Sequence, residues 1–224
     1  MTTLTPTAAW EQMLEGNKRF VSGEPRHPNQ DVGRRHDLAN HQNPLATLFG
    51  CSDSRLAAEI IFDLGLGDLF VVRNAGQVIG ESIVASLEYA VGILDVPLIV
   101  VLAHDSCGAV RAAIDGTPID AAPLPPQIWK LIAPIVPAAR KVLAESGGGA
   151  VADIDAELVG KEHLRNTVRN LLQSSEMIST AVAEGRLGIV GANYRLSEGT
   201  AVPVITVGIE SGIADDPAIL EGSK

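Results

Sequence analysis

The chain has 224 residues, a formal charge of −10 at pH 7 and no basic block, which argues against nucleic acid as a partner. No apolar run approaches the about 20 residues that cross a bilayer, and the first residues, MTTLTPTAAWEQ, lack the charged-then-apolar pattern of a secretion signal. Apolar residues make up 46% of the chain and aromatics only 4%, which predicts an aliphatic core in one α/β domain over 1–224 and some apolar surface shared between subunits. The cytoplasm is the expected compartment, where two cysteines are more often free or metal-bound than disulfide-linked.

From the N-terminus, residues 7–20 predict a helix in which Trp10, Met13, Leu14 and Phe20 share an apolar stripe, with Thr5-Pro6 as the stop before it. A helix so near a chain end often docks on a neighbouring subunit, and residues 1–41 read as an N-terminal helical arm. A polar link at 23–29 leads to a short helix from Asp31, its N-cap, to about His41. The first strand spans 45–49, and a helix over 56–62 ends near Gly65. The second strand is 69–72, and a glycine-bounded loop over 73–80 joins it to a helix at 82–94. Pro97 opens the third strand, 98–102, and Cys107 begins a helix reaching Ile114, N-capped by Asp105 or Ser106. After a proline-rich loop over 115–126, a helix at 128–145 is open to interruption at Pro134 and Pro137. The glycine run in 146–149 is a break, and a long helix follows at about 153–184, with Gly160 as a candidate divider. The fourth strand is 187–192. The turn Ser197-Glu198-Gly199 is short enough to make the fifth strand, 201–207, antiparallel to it, and the tail over 208–224 is weakly patterned.

Three soft donors stand at the ends of two of these strands. Cys51 lies in Phe49-Gly50-Cys51-Ser52-Asp53-Ser54-Arg55, and two more donors lie in His104-Asp105-Ser106-Cys107. Either motif alone fits an inert buried cysteine or half of a redox couple. Together, at two strand-to-helix turns, two thiolates and an imidazole suit zinc and leave one tetrahedral position open. Asp53 and Arg55 border that position. One metal must see both strand ends, so the first and third strands are expected to be neighbours. The fold class follows: α/β, a mostly parallel sheet of order 2-1-3-4 plus an antiparallel edge strand, flanked by helices.

The pairing of Cys-x-Asp-x-Arg with a downstream His-x-x-Cys resembles the signature of the β-class carbonic anhydrases, over a stretch from the helix around Trp10 to about Val207. The resemblance implies a zinc ion held by Cys51, His104 and Cys107, and an enzyme that interconverts carbon dioxide and bicarbonate by attack of zinc-held hydroxide. It leaves Asp53 two jobs: a fourth zinc ligand in a closed state, or, paired with Arg55, an acceptor that orients the nucleophile. It also implies that Gln42 and the Gly108 N–H face substrate oxygens and that Phe70, Ala75 and Tyr89 wall an apolar pocket, although each has an ordinary reading as surface or core. Some members carry an inhibitory bicarbonate site built on Trp, Arg and Tyr. Here Leu48 stands in the Trp position, with Arg73 and Tyr194 at the others, which argues against that site. A homodimer or homotetramer is implied, with the site at the dimer interface. His27, His36, His41 and His163 lie in polar surroundings and are expected to face solvent. The rivals are hydrolysis of carbon disulfide or carbonyl sulfide on the same site, a non-catalytic zinc- or bicarbonate-binding module, and a dithiol redox protein with a Cys51–Cys107 disulfide.

Overall fold

The computed structural model describes residues 4–147 and 150–209. Its centre is a pair of parallel neighbours, β1 (Ala46–Cys51) and β3 (Leu98–His104), buried at every position on both faces. Near-continuous apolar runs of this kind belong to parallel strands covered by helices on both sides. On one flank β2 (Leu69–Asn74) pairs parallel with β1, and on the other β4 (Gly188–Arg195) pairs parallel with β3. The last strand, β5 (Thr200–Val207), runs antiparallel to β4 at the edge, giving the order β2-β1-β3-β4-β5. The sheet order expected from one metal seeing two strand ends is therefore the one observed.

Side chains alternate across the sheet. Leu48, Val100 and Leu102 point into a core that includes Trp10, Met13, Val110, Ile114 and Ile135. Phe49, Ile99 and Val101 point the other way, among Leu87, Leu164, Leu171 and Ile178. The helices that cover these faces are α1 (Pro6–Ser22), α3 (Ala58–Ile61), α4 (Glu81–Gly92), α5 (Gly108–Asp115), α6 (Pro126–Ile132), α7 (Val136–Glu145), α8 (Ala156–Ser174) and α9 (Glu176–Ala183), while α2 (Val32–Asp37) buries no residue.

Helix α1 packs on its own chain through Trp10 and Met13, and the buried Asn17 fixes it there. Its Nδ2 donates to the carbonyls of Ile61 at 3.0 Å and Gly199 at 2.8 Å, and its Oδ1 accepts from the Ala201 N–H at 2.9 Å. Some expected boundaries shift. Helix α2 ends at Asp37, short of His41, and the helix expected over 56–62 is the single turn Ala58–Ile61. The long helix expected at 153–184 divides at Ser175, not at Gly160. Ser175 leaves helical geometry (φ −137°, ψ 107°), accepts the Ile178 N–H at 3.2 Å and donates to Glu88 at 2.6 Å. A side-chain cap with a tertiary partner outweighs the weak helix-breaking cost of one glycine. The helix expected at 128–145 is interrupted at 133–135 by a 3₁₀ turn that contains Pro134.

Candidate metal centre

The carboxyl ends of β1 and β3 bring Cys51, His104 and Cys107 together. Their ligand atoms all lie within 4.8 Å of one another, and all three residues are buried. Tetrahedral zinc with bonds of about 2.3 Å to sulfur places two thiolate sulfurs about 3.8 Å apart. Both cysteines are free, so the disulfide of the redox rival is not formed.

Local structure aims each donor. The His104 Nδ1 lies 2.7 Å from the Asp105 carbonyl, which can only accept, so Nδ1 carries the hydrogen and Nε2 keeps its lone pair. That Nε2 is buried and has no hydrogen-bond partner among the described residues. An orphaned acceptor aimed at two sulfurs is what a metal ligand looks like before the metal is added. The turn to Cys107 passes through Ser106 at φ 50°, a left-handed position. Cys107 itself is the N-cap of α5, where Asp105 or Ser106 was expected. Ser106 is unsuited because of that left-handed turn, and the Asp105 carboxylate is taken by the Leu196 N–H at 3.0 Å.

The two neighbouring sulfurs shift each other's acidity in opposite directions. The Cys51 thiol is lowered to about 4, first by the hydrogen bond from Cys107, with further help from the Gly76 N–H at 3.3 Å. The Cys107 thiol is pushed up, first by its bond to Cys51 and then by burial, while the Val110 and Ala109 amides pull the other way. Burial opposes charge on His104, but the facing Cys51 sulfur outweighs it and raises its pKa.

Asp53 and Arg55 form a fork. Arg55 Nε donates to Asp53 Oδ1 at 2.8 Å and Nη2 donates to Oδ2 at 2.7 Å, with the Arg55 N–H adding a third bond at 3.0 Å. The guanidinium holds the Asp53 carboxyl well below the usual carboxylate range. Asp53 Oδ2 also lies 4.0 Å from His104 Nε2, so the carboxylate borders the cluster while both its oxygens are engaged by arginine.

A family model described as carbonic anhydrase matches residues 46–201. Carbonic anhydrase 2 of Mycobacterium tuberculosis is 47% identical over 210 residues, covering 90% of this chain and 94% of the relative. The chain belongs to the β-class carbonic anhydrase family. Among solved structures, the β-carbonic anhydrase CcaA superposes with a TM-score of 0.67 at 26% identity, covering 87% of this chain and 94% of that one. One of two tetrameric β-carbonic anhydrases from Sordaria macrospora gives 0.66 at 22% identity, covering 87% and 95%.

The remaining residues expected from the β-carbonic anhydrase resemblance are spread more widely. Phe70 on β2 and Tyr89 on α4 stack with ring centroids 6.0 Å apart, and Tyr89 is 46% exposed. Gln42 is exposed on the loop between α2 and β1, Ala75 is exposed just after β2, and Gly108 is the exposed first residue of α5. Leu48 is buried under the sheet at 1% exposure. Arg73 is committed elsewhere: Nε donates to the Cys51 carbonyl at 2.9 Å and Nη2 to the Asp53 carbonyl at 2.6 Å. His27, His36 and His41 are exposed as expected.

His163 is not. It is buried on α8, with Nε2 2.8 Å from the Gly76 carbonyl, and burial pushes its pKa down. Its neighbours in the sequence, Lys161, Glu162 and Arg165, suggest solvent, but the helical repeat places it one turn from Val159 and Thr167, both buried. That periodicity was the available signal. Gly76 contacts the centre directly, Arg73 and His163 brace it, and the motifs do not announce these contacts.

Proposed function

We propose that this protein catalyses the reversible hydration of carbon dioxide to bicarbonate and a proton, with zinc held by Cys51, His104 and Cys107. One observation carries the reading: two buried sulfurs and an unpartnered imidazole nitrogen converge beside a carboxylate already forked by arginine. The donor set fits zinc in number and kind, with three protein ligands as in catalytic sites. When bound, the ion supplies the Lewis acidity that makes a hydroxide nucleophile available near neutral pH.

The chain's own groups do the rest. Asp53, kept ionised and in place by Arg55, accepts a hydrogen from the attacking oxygen at Oδ2 and so turns its lone pair toward the substrate carbon. Gln42 and the Gly108 N–H donate to the substrate oxygens, and Phe70, Ala75 and Tyr89 form the apolar wall that receives an uncharged gas. The half-buried apolar strand β2 and the exposed stacked Tyr89 support a homodimer or homotetramer in which a neighbouring subunit closes the pocket. Residues 1–224 are read as one domain with an N-terminal helical arm over 1–41, and the tail after 209 lies outside the described residues. No described helix is long and apolar enough to cross a membrane. The cytoplasm is proposed because a reducing compartment suits two cysteines that stay free.

Metal analysis together with stopped-flow hydration of carbon dioxide tests the proposal. The expected result is one zinc per chain, hydration that disappears with chelation, and loss of both metal and rate in Cys107→Ser. Stoichiometric zinc without hydration would identify a binding module instead, and absence of zinc would overturn the reading.

A further inference from the structure

Glycine is forced at position 76, and it leaves the backbone there without a side chain to hold it. Its φ is +81°, and a Cβ there would meet Ala109 Cβ at 2.9 Å and Ile135 Cδ1 at 3.0 Å, so only glycine fits. Yet its N–H must stay on the Cys51 sulfur, 3.3 Å away, and glycine is the residue least able to hold its own peptide planes. Asn74 closes the turn on one side, accepting the Val78 N–H at 2.9 Å and donating to the Val78 carbonyl at 2.7 Å. On the other side the hold comes from α8, where His163 Nε2 meets the Gly76 carbonyl at 2.8 Å. A carbonyl can only accept, so Nε2 carries the hydrogen. The histidine is itself fixed: Thr167 Oγ1 donates to the His163 carbonyl at 2.9 Å and lies 3.5 Å from the Gln77 carbonyl.

We propose that His163 is a positioning residue for the metal centre, anchoring the Gly76 carbonyl so that the Gly76 N–H stays on the Cys51 sulfur. The inference rests on the zinc reading above. An N–H donor on a ligating thiolate tunes how much charge the sulfur gives the metal, and partners of this kind commonly govern metal affinity. Burial keeps the imidazole neutral, which suits a donor that has to stay in one tautomer.

The test compares the full-length wild type with His163→Leu, which keeps much of the volume without a donor, and His163→Gln, whose amide N–H reaches near the Nε2 position. Zinc retention is measured by competition with a chromogenic chelator near neutral pH. His163→Leu is expected to lose about tenfold or more in zinc affinity and His163→Gln to recover most of it. In the cobalt-substituted proteins the thiolate-to-cobalt charge-transfer band is expected to shift in the leucine variant and return in the glutamine variant. A merely structural histidine would lower thermal stability and leave the band unmoved. Wild-type affinity and an unchanged band in a folded His163→Leu would overturn the proposal. Should that variant fail to fold, cadmium-loaded wild type decides by NMR. A coupling from the metal across Cys51 to the Gly76 amide hydrogen is expected, and its absence would overturn the proposal equally. A wild type that holds no zinc sinks the functional reading and this inference together. Zinc-loaded wild type with an indifferent His163→Leu sinks this inference alone.

Discussion

Arg73 offers the sharpest test of how the loop after β1 is held. Its guanidinium bridges the carbonyls of Cys51 and Asp53, at 2.9 and 2.6 Å, and thereby spans the segment from the first sulfur to the carboxylate forked by Arg55. Removing it in Arg73→Leu takes away two hydrogen bonds from a charged donor, each worth about 1.5–3 kcal/mol when protected from water. Arg73 is exposed, so solvent replaces most of that, and a net loss of about 1–2 kcal/mol in loop positioning is the reasonable magnitude. Because 1.36 kcal/mol is a factor of ten in rate, kcat/KM for carbon dioxide hydration is expected to fall roughly 5–30-fold. Arg73→Lys, which can reach one carbonyl but not span two, should lie in between. The assay is stopped-flow hydration with a pH indicator, on protein whose zinc content has been matched to wild type. Full wild-type kcat/KM in the zinc-loaded leucine variant would refute the argument. Bicarbonate inhibition present in the wild type and lost in the Arg73 variants would instead return the residue to the anion-binding role that Leu48, standing in the Trp position, argues against.

Two further outcomes follow from other residues. Asp63, fully buried, accepts from Arg19 Nε at 2.5 Å and from the N–H groups of Arg26 at 3.0 Å and His27 at 2.9 Å. Burial opposes its charge, but these donors win and lower its pKa. Asp63→Asn should cost about 2–3 kcal/mol, lowering Tm by about 4–12 °C. The folded pKa lies below the unfolded value of about 3.9, so the charged group stabilises the protein above that pH and loses its advantage as pH falls through the folded value. Thermal melts should therefore show a Tm gap between wild type and variant at neutral pH that narrows below about pH 4; a gap that does not narrow contradicts the assignment. Gly76→Ala combines a left-handed residue with two contacts at 3.0 Å or less, and should destabilise by about 2–4 kcal/mol in chemical denaturation. A loss under about 1 kcal/mol would mean that the Ala109 and Ile135 side chains yield easily.

What could be read from the residues divides along a physical line. Strand order was legible because chemistry constrained it: three donors on two strands cannot share one ion unless those strands are neighbours, and β1 pairs with β3. The Asp53–Arg55 fork was only half legible: the residues allowed either a carboxylate on the metal or one paired with Arg55, and the fold shows the pair. Helix ends were harder, since each depends on a competition between weak local terms and a tertiary partner. Gly160 costs α8 little, whereas Ser175 gains a bond to Glu88 across 87 residues and breaks the helix there. His163 failed for the same reason from the opposite direction. Counting charged neighbours puts it in water, but the helical repeat puts it beside Val159 and Thr167, and its partner Gly76 also lies 87 residues away. Motifs record the atoms that touch the reaction, because only certain elements can do that work. The groups that aim those atoms act through backbone carbonyls and amides, which every residue carries, so the helical repeat could announce the burial of His163 but neither its partner nor that of Arg73.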